Sequence, residues 1–193
     1  MLMRGRASTI TDLGDGTVLR IGGAPAREAE LMSLARAHGF PVPRVHDVRP
    51  DALVMERING PTMGGDVARR PWRLGRHMRT LADLHERLHR IPTGSGRLVH
   101  FDLHPDNVLL SPSGPVVIDW TNAHGGEAAA DVALTWLILE TSAGLPGRLA
   151  ARRFATAVGH DLIRAGLPAA VAFRFADPNV LPAERERAGR AHI

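Results

Sequence analysis

One segment constrains this chain more than any other: the loop His100-Phe-Asp-Leu-His-Pro-Asp-Asn107 and, after a turn at Ser111-Pro-Ser-Gly114, the run Val116-Val-Ile-Asp119-Trp120. Val108 to Leu110 and Val116 to Ile118 are apolar and predict two strands joined by that turn. A hairpin brings its ends together, so Asn107 and Asp119 become neighbours although twelve residues separate them. Asp102 stands five residues before Asn107 on the same loop.

These residue types suit one kind of chemistry. A divalent cation carrying a triphosphate takes hard oxygen ligands from few protein groups and leaves positions for phosphate oxygens and water. One amide oxygen and one carboxylate at the hairpin ends supply that. A second carboxylate on the loop, not needed as a ligand, can accept the proton of a hydroxyl. An isolated Asp-x-x-x-x-Asn says little, because turns are rich in both residues. The order loop, strand, turn, strand, Asp-Trp says far more.

The segment resembles the aminoglycoside phosphotransferase and choline kinase group, within the protein-kinase-like fold. Their loop reads His-x-Asp-x-x-x-x-Asn and their metal aspartate lies in Ile-Asp-Trp or Ile-Asp-Phe; here Phe101 replaces the usual glycine. The resemblance implies transfer of the terminal phosphoryl group of ATP (or GTP), with Mg2+, to a hydroxyl-bearing small molecule. It makes Asp102 the catalytic carboxylate, Asn107 and Asp119 the metal ligands, and His100 a brace for the loop. Upstream, Arg27-Glu28-Ala-Glu30 matches the helix with an ion-pairing glutamate, Glu28 (Glu30 being the register-shifted alternative). Leu53-Val-Met-Glu-Arg57 resembles the hinge, where backbone groups of Met55, Glu56 and Arg57 would meet the adenine edge. Asp131 matches an acidic position that braces the core. Two departures stand out. The strand lysine that grips phosphates is replaced by Arg20, in a chain with no lysine, and arginine's planar fork is held differently. The N-terminus is also short: Gly5 to Ser8 would be the remnant of a phosphate-covering loop, with little room for a strand before it.

The expected architecture is α+β and bilobal: a truncated β-rich N-lobe over residues 1–57, then a mainly helical C-lobe over 58–193 carrying the loop and hairpin. Gly14-Asp-Gly16 feeds a strand at Thr17 to Ile21, and Ala26 to His38 has helical periodicity closed by Gly39. Ala52 to Ile58 reads as a strand, and Pro71 to Arg90 as a long helix with Leu74, Met78, Leu81, His85 and Leu88 on one face. Leu98 to His100 reads as a strand. Glu127 to Glu140, Arg148 to Ala165 (closed by Gly166 and Pro168) and Pro182 to Ala191 read as helices.

Two other readings compete. The replacement of lysine by Arg20 and the reduced N-lobe favour a nucleotide-binding pseudokinase or regulatory module. His85-Glu86-Arg-Leu-His89 fits the H-E-x-x-H pattern of zinc hydrolases, with Glu86 as base. That helix ends at Ile91-Pro92, however, and His85 falls on the apolar stripe, so a packed core histidine accounts for it. Composition narrows the rest. The absence of cysteine excludes a disulfide scaffold and thiolate chemistry. The formal charge is only +4, and the arginines between Arg69 and Arg90 are interrupted by a single aromatic, Trp72, so no nucleic-acid partner is expected. The longest apolar stretch, Val132 to Leu139, is far below the roughly 20 residues a membrane span needs, and a cytoplasmic location without membrane attachment is expected. Scattered carboxylates such as Glu127, Glu140, Asp161 and Asp177 do not identify the acceptor.

Overall fold

The computed structural model describes residues 2–4, 9–142, 144–176 and 189. The N-terminal part is a five-stranded antiparallel sheet with one helix. Strands β1 (Leu2–Arg4), β2 (Thr9–Asp12) and β3 (Thr17–Ile21) form a meander, α1 (Pro25–Ala37) follows, and β4 (Val45–Val48) and β5 (Ala52–Glu56) complete the order β1-β2-β3-β5-β4. The β2–β3 turn is closed by its own side chains: Asp12 Oδ1 accepts from the Gly14 amide and Asp15 Oδ1 from Thr17, while Gly14 and Gly16 supply φ of 83° and 86°. Two strands thus precede β3, and one of them, β1, comes before Gly5 to Ser8, where the sequence leaves little room for a strand. They are only three and four residues long, and Thr9-Ile-Thr-Asp has the β-branched character that suits an edge ladder. Gly5 to Ser8 lie outside the described residues.

Past Asn59-Gly60-Pro61, the structure becomes mainly helical. A short α2 (Met63–Arg69) leads through a 3-10 turn at Pro71–Arg73 into α3 (Leu74–His89). Helix α2 is not evident in the sequence, since Gly64 and Gly65 occupy its first turn. It forms because Thr62 caps it, the hydroxyl accepting from the Gly65 amide at 2.9 Å, and because Met63 is fully buried. Strands β6 (Pro92–Thr93) and β7 (Gly96–Val99) then pair, with β10 (His124–Gly126) on the far side of β7. Between them lies the predicted hairpin, β8 (Val108–Ser111) and β9 (Gly114–Val117). Helices α4 (Ala128–Ser142), α5 (Gly144–Val158) and α6 (His160–Ala176) finish the described chain.

The core of this larger lobe is built from the α3 stripe, where Met78, Leu81, Leu84 and Leu88 are almost wholly buried. It continues through Val132 to Leu137 of α4, and Phe154 of α5. The helix predicted over Arg148 to Ala165 is in fact two. Gly159, with φ of 93°, breaks the chain between α5 and α6, and Pro168 lies inside α6 rather than closing a helix. Gly166 lets α6 press onto the start of α4: a Cβ there would sit 1.9 Å from the carbonyl oxygen of Ala129. The stretch expected as a helix at Pro182 to Ala191 falls almost entirely outside the described residues. No described helix is long and apolar enough to cross a membrane.

Candidate active site

The hairpin register, Val108 opposite Val117, places Asn107 beside the segment that carries Asp119, and the Ile118 amide donates to the Asn107 carbonyl at 3.0 Å. Asp119 takes φ of 62°, the left-handed region that a residue with a Cβ enters only under local constraint. The Asn107 amide nitrogen is tied down twice, to the Asp102 carbonyl at 2.9 Å and to Asp102 Oδ2 at 3.0 Å. With its NH2 so engaged, the amide oxygen is the group Asn107 presents elsewhere. An amide oxygen and a half-exposed carboxylate are hard donors, so the pair fits Mg2+.

The loop is suspended from Asp131 on α4. Its carboxylate accepts from the His100 amide at 3.1 Å and the Phe101 amide at 2.8 Å, and from His89 Nε2 at 2.9 Å. Burial works to raise the Asp131 carboxyl, yet hydrogen bonding from His85 and His89 holds it well below the usual carboxylate range. The His100 ring is fully buried, stands edge-on to Trp120 at 5.2 Å between centroids, and donates from Nε2 to the Ile118 carbonyl at 3.1 Å. Burial pushes its pKa down to about 4, so the ring is neutral near pH 7 and straps the loop to the end of β9. Phe101, where relatives of the resembled group have glycine, adopts φ of 56°. Its ring packs on His124 and, edge to face, on Phe173 of α6. Asp102 is partly buried next to these groups, and burial raises its pKa, with the Asp119 charge adding to the shift. His104 and the Asn107 hydrogen bond oppose it. A carboxylate so tuned is a better proton acceptor than a solvated one.

Arg20 on β3 is buried and its fork is divided. Nη1 donates to Glu28 Oε2 at 2.6 Å, and Nη2 donates to the Thr121 hydroxyl at 2.5 Å, lying 3.8 Å from Asp119 Oδ1. The β3–α1 turn is shaped around this pair: Gly23 has φ of 76°, and a Cβ there would meet Glu28 Oε1 at 2.4 Å. Glu30, the alternative partner, is exposed. Arg20, Glu28 and Asp119 line one small cavity together with Met32, Pro43, Leu53, Met55, Ile118 and Trp120.

At the end of β5, the stretch expected to meet the adenine edge, two of the backbone amides are taken by the chain itself. Met55 reaches the cavity, but the Glu56 amide donates to the Arg44 carbonyl at 2.8 Å and the Arg57 amide to the Gly16 carbonyl at 2.9 Å. Both donors are thus committed to the sheet, because β4 and β3 flank β5 to its end. The H-E-x-x-H pattern also resolves. His85 Nε2 meets the Thr135 hydroxyl at 3.0 Å and His89 meets Asp131, while Glu86 points outward and pairs with Arg90. His85, His89 and Asp131 do cluster. Both Asp131 oxygens already hold loop amides, and the glutamate needed as base faces away. Thr121 is a residue that sequence reasoning missed. Nothing in its spacing marks it, since its partner Arg20 lies 101 residues away.

Comparisons with known proteins bear on the fold and the family. The phosphotransferase enzyme family model matches residues 92–173, and the RIO domain model matches residues 21–130, more than half of the chain. The chain is 35% identical over 97 residues to a probable serine/threonine-protein kinase BUD32 homolog of Archaeoglobus fulgidus, covering 48% of this chain and 42% of that one. It is 28% identical over 130 residues to a probable bifunctional tRNA threonylcarbamoyladenosine biosynthesis protein of Methanoculleus marisnigri, covering 59% and 23%. The chain thus spans less than half the length of these curated relatives. Among solved structures, the streptomycin–ATP–APH(2″)-IIa ternary complex superposes with a TM-score of 0.69 at 14% identity, covering 90% of this chain and 83% of that one. The Plasmodium vivax ethanolamine kinase gives 0.62 at 10% identity, covering 100% and 81%. At such identities the structural likeness is one of fold, protein-kinase-like. With that fold, and with the RIO domain model running from the end of β3 through α1, β4, β5, the loop and the hairpin to the start of α4, the chain belongs to the RIO domain family.

Proposed function

We propose that the protein transfers the terminal phosphoryl group of ATP to a hydroxyl of a small molecule. The observation that carries this reading is the joint placement of Asp102, Asn107 and Asp119 by one loop and one hairpin. Asn107 and Asp119 would hold Mg2+, which would supply positive charge to offset that of the phosphates. Asp102 orients the acceptor hydroxyl and takes its proton, held in place by the Asn107 amide and by the loop amides fixed to Asp131. Arg20 brings a permanent cation to the edge of the same cleft, with Glu28 fixing one arm of its fork. Helix α6 stands against the loop through Phe173 and Phe101, the residue next to Asp102.

A second reading, a nucleotide-binding regulatory module, is favoured by one observation: both terminal nitrogens of Arg20 are already engaged by protein groups. The deciding experiment measures ATP consumption and phosphorylated product with Mg2+ over a panel of amino alcohols, sugars, aminoglycosides and a serine-containing peptide. Turnover with a small hydroxyl acceptor is expected, lost in Asp102→Asn with Mg2+–nucleotide affinity within a few-fold of the parent. Asp119→Ala should instead weaken the metal-dependent binding itself. Binding without turnover over the whole panel would move the assignment to the regulatory reading, and phosphorylation of the peptide alone would overturn the small-molecule acceptor.

A further inference from the structure

Asp119 is the more exposed of the two groups assigned to the metal and sits in a left-handed backbone conformation, so something must fix the direction of its carboxylate. Its backbone does not do so alone. Arg20, the nearest cation, has Nη2 at 3.8 Å from Asp119 Oδ1, too far for a hydrogen bond. The Thr121 hydroxyl lies between them. It accepts from Arg20 Nη2 at 2.5 Å and donates to Asp119 Oδ1 at 2.7 Å, turning one long ion pair into two short, charge-assisted bonds. Arg20 in turn is anchored by Glu28, whose other oxygen accepts from the Ala24 amide at 3.2 Å at the start of α1.

We infer that Thr121 is a positioning residue for the metal-binding carboxylate, relaying the fixed guanidinium of Arg20 onto Asp119 Oδ1. The inference rests on the phosphotransferase reading and adds to it a residue and a division of labour. An arginine fork has two arms, so one stays on α1 while the other reaches the segment after β9. A lysine ammonium at the same place, a single point charge, lacks that planar two-armed geometry. The hydroxyl must both accept and donate, which serine also does and valine, of nearly the same shape as threonine, does not. Thr121 is itself exposed and outside the core, so losing its hydroxyl bears on Asp119 and not on the packing of the lobe.

The test is the Mg2+ dependence of nucleotide binding, measured on the full chain by calorimetry with a non-hydrolysable ATP analogue at increasing Mg2+. Thr121→Val is expected to raise the Mg2+ midpoint about tenfold, the usual consequence of losing a group that orients a metal ligand. Affinity measured in a chelator should change little, and the melting temperature should fall only modestly, because Arg20 loses one hydrogen bond but keeps Glu28. Thr121→Ser should keep the midpoint within about twofold of the parent, because the relay needs the hydroxyl and not the methyl. A midpoint for Thr121→Val equal to that of the parent would overturn the relay, as would Thr121→Ser being impaired as much as Thr121→Val. A parent protein whose nucleotide binding ignores Mg2+ would overturn the phosphotransferase reading itself, and the relay with it.

Discussion

Removing Glu28 tests whether the Arg20 fork is held as described. Both side chains are almost entirely buried, at 4% and 3% exposed, and their contact is 2.6 Å. Cutting one partner from a buried pair leaves an uncompensated charge, which costs about 3–5 kcal/mol. Part of that cost is offset here, since Arg20 keeps the Thr121 hydroxyl and the Asp119 carboxylate at 3.8 Å, the latter weakened by water because Asp119 is 43% exposed. Glu28→Ala should therefore fall near the lower end, about 3 kcal/mol, a large share of the roughly 5–15 kcal/mol that keeps a domain folded. Replacing both partners, Arg20→Met with Glu28→Leu, removes the charges together. The double variant should regain most of that loss while nucleotide binding stays impaired, since apolar side chains fill the space without the charge. Urea denaturation followed by circular dichroism measures each variant, with nucleotide affinity determined in parallel. A Glu28→Ala loss below about 1 kcal/mol, or a double variant as unstable as the sum of the singles, would refute the buried clamp.

Two further outcomes follow from the histidines. His100 has a folded pKa of about 4 against an ordinary value of 6.5, so between those values the unfolded chain binds the extra proton and stability falls as pH drops. The loss should approach about 3 kcal/mol by pH 4, and stability measured against pH in His100→Gln should lack that component. The cluster of His85, His89 and Asp131 should carry no stoichiometric zinc by elemental analysis, and His89→Ala should lower the melting temperature without abolishing Mg2+–nucleotide binding, because His89 supports Asp131 and touches no reacting group.

Residues close together in sequence were the legible ones. The loop, the hairpin and Asp119 lie within one short segment, and hairpin pairing alone brings Asn107 to Asp119. Glu28 was legible only through the family resemblance, with Glu30 as the alternative one register on; the helix turns Glu28 onto buried Arg20 and leaves Glu30 exposed. Helix α2 was hidden because its stability comes from the Thr62 cap and the burial of Met63, which outweigh two glycines of poor helical propensity. The boundary between α5 and α6 was hidden because apolar periodicity runs past Gly159, and only the backbone reveals its positive φ. The commitment of the Glu56 and Arg57 amides depends on where β3 and β4 come to lie, and Thr121 depends on folding across 101 residues. No local pattern encodes either.

The backbone of Phe101 has a consequence for the order in which the molecule is made. A side chain other than glycine at φ of 56° stands about 1–2 kcal/mol above its relaxed conformations, so the loop does not adopt this shape unaided. What offsets the strain comes from later in the chain: His124 on β10, the Asp131 carboxylate on α4 and Phe173 on α6. A ribosome therefore delivers the residues of the loop some seventy positions before the last of their supports. The β8–β9 hairpin can form at once from its own neighbours, whereas the loop gains the Phe173 contact only once α6 has seated against α4. The loop thus gains its Phe173 support only with α6, and loosening of α6 would be felt at Asp102's neighbour Phe101.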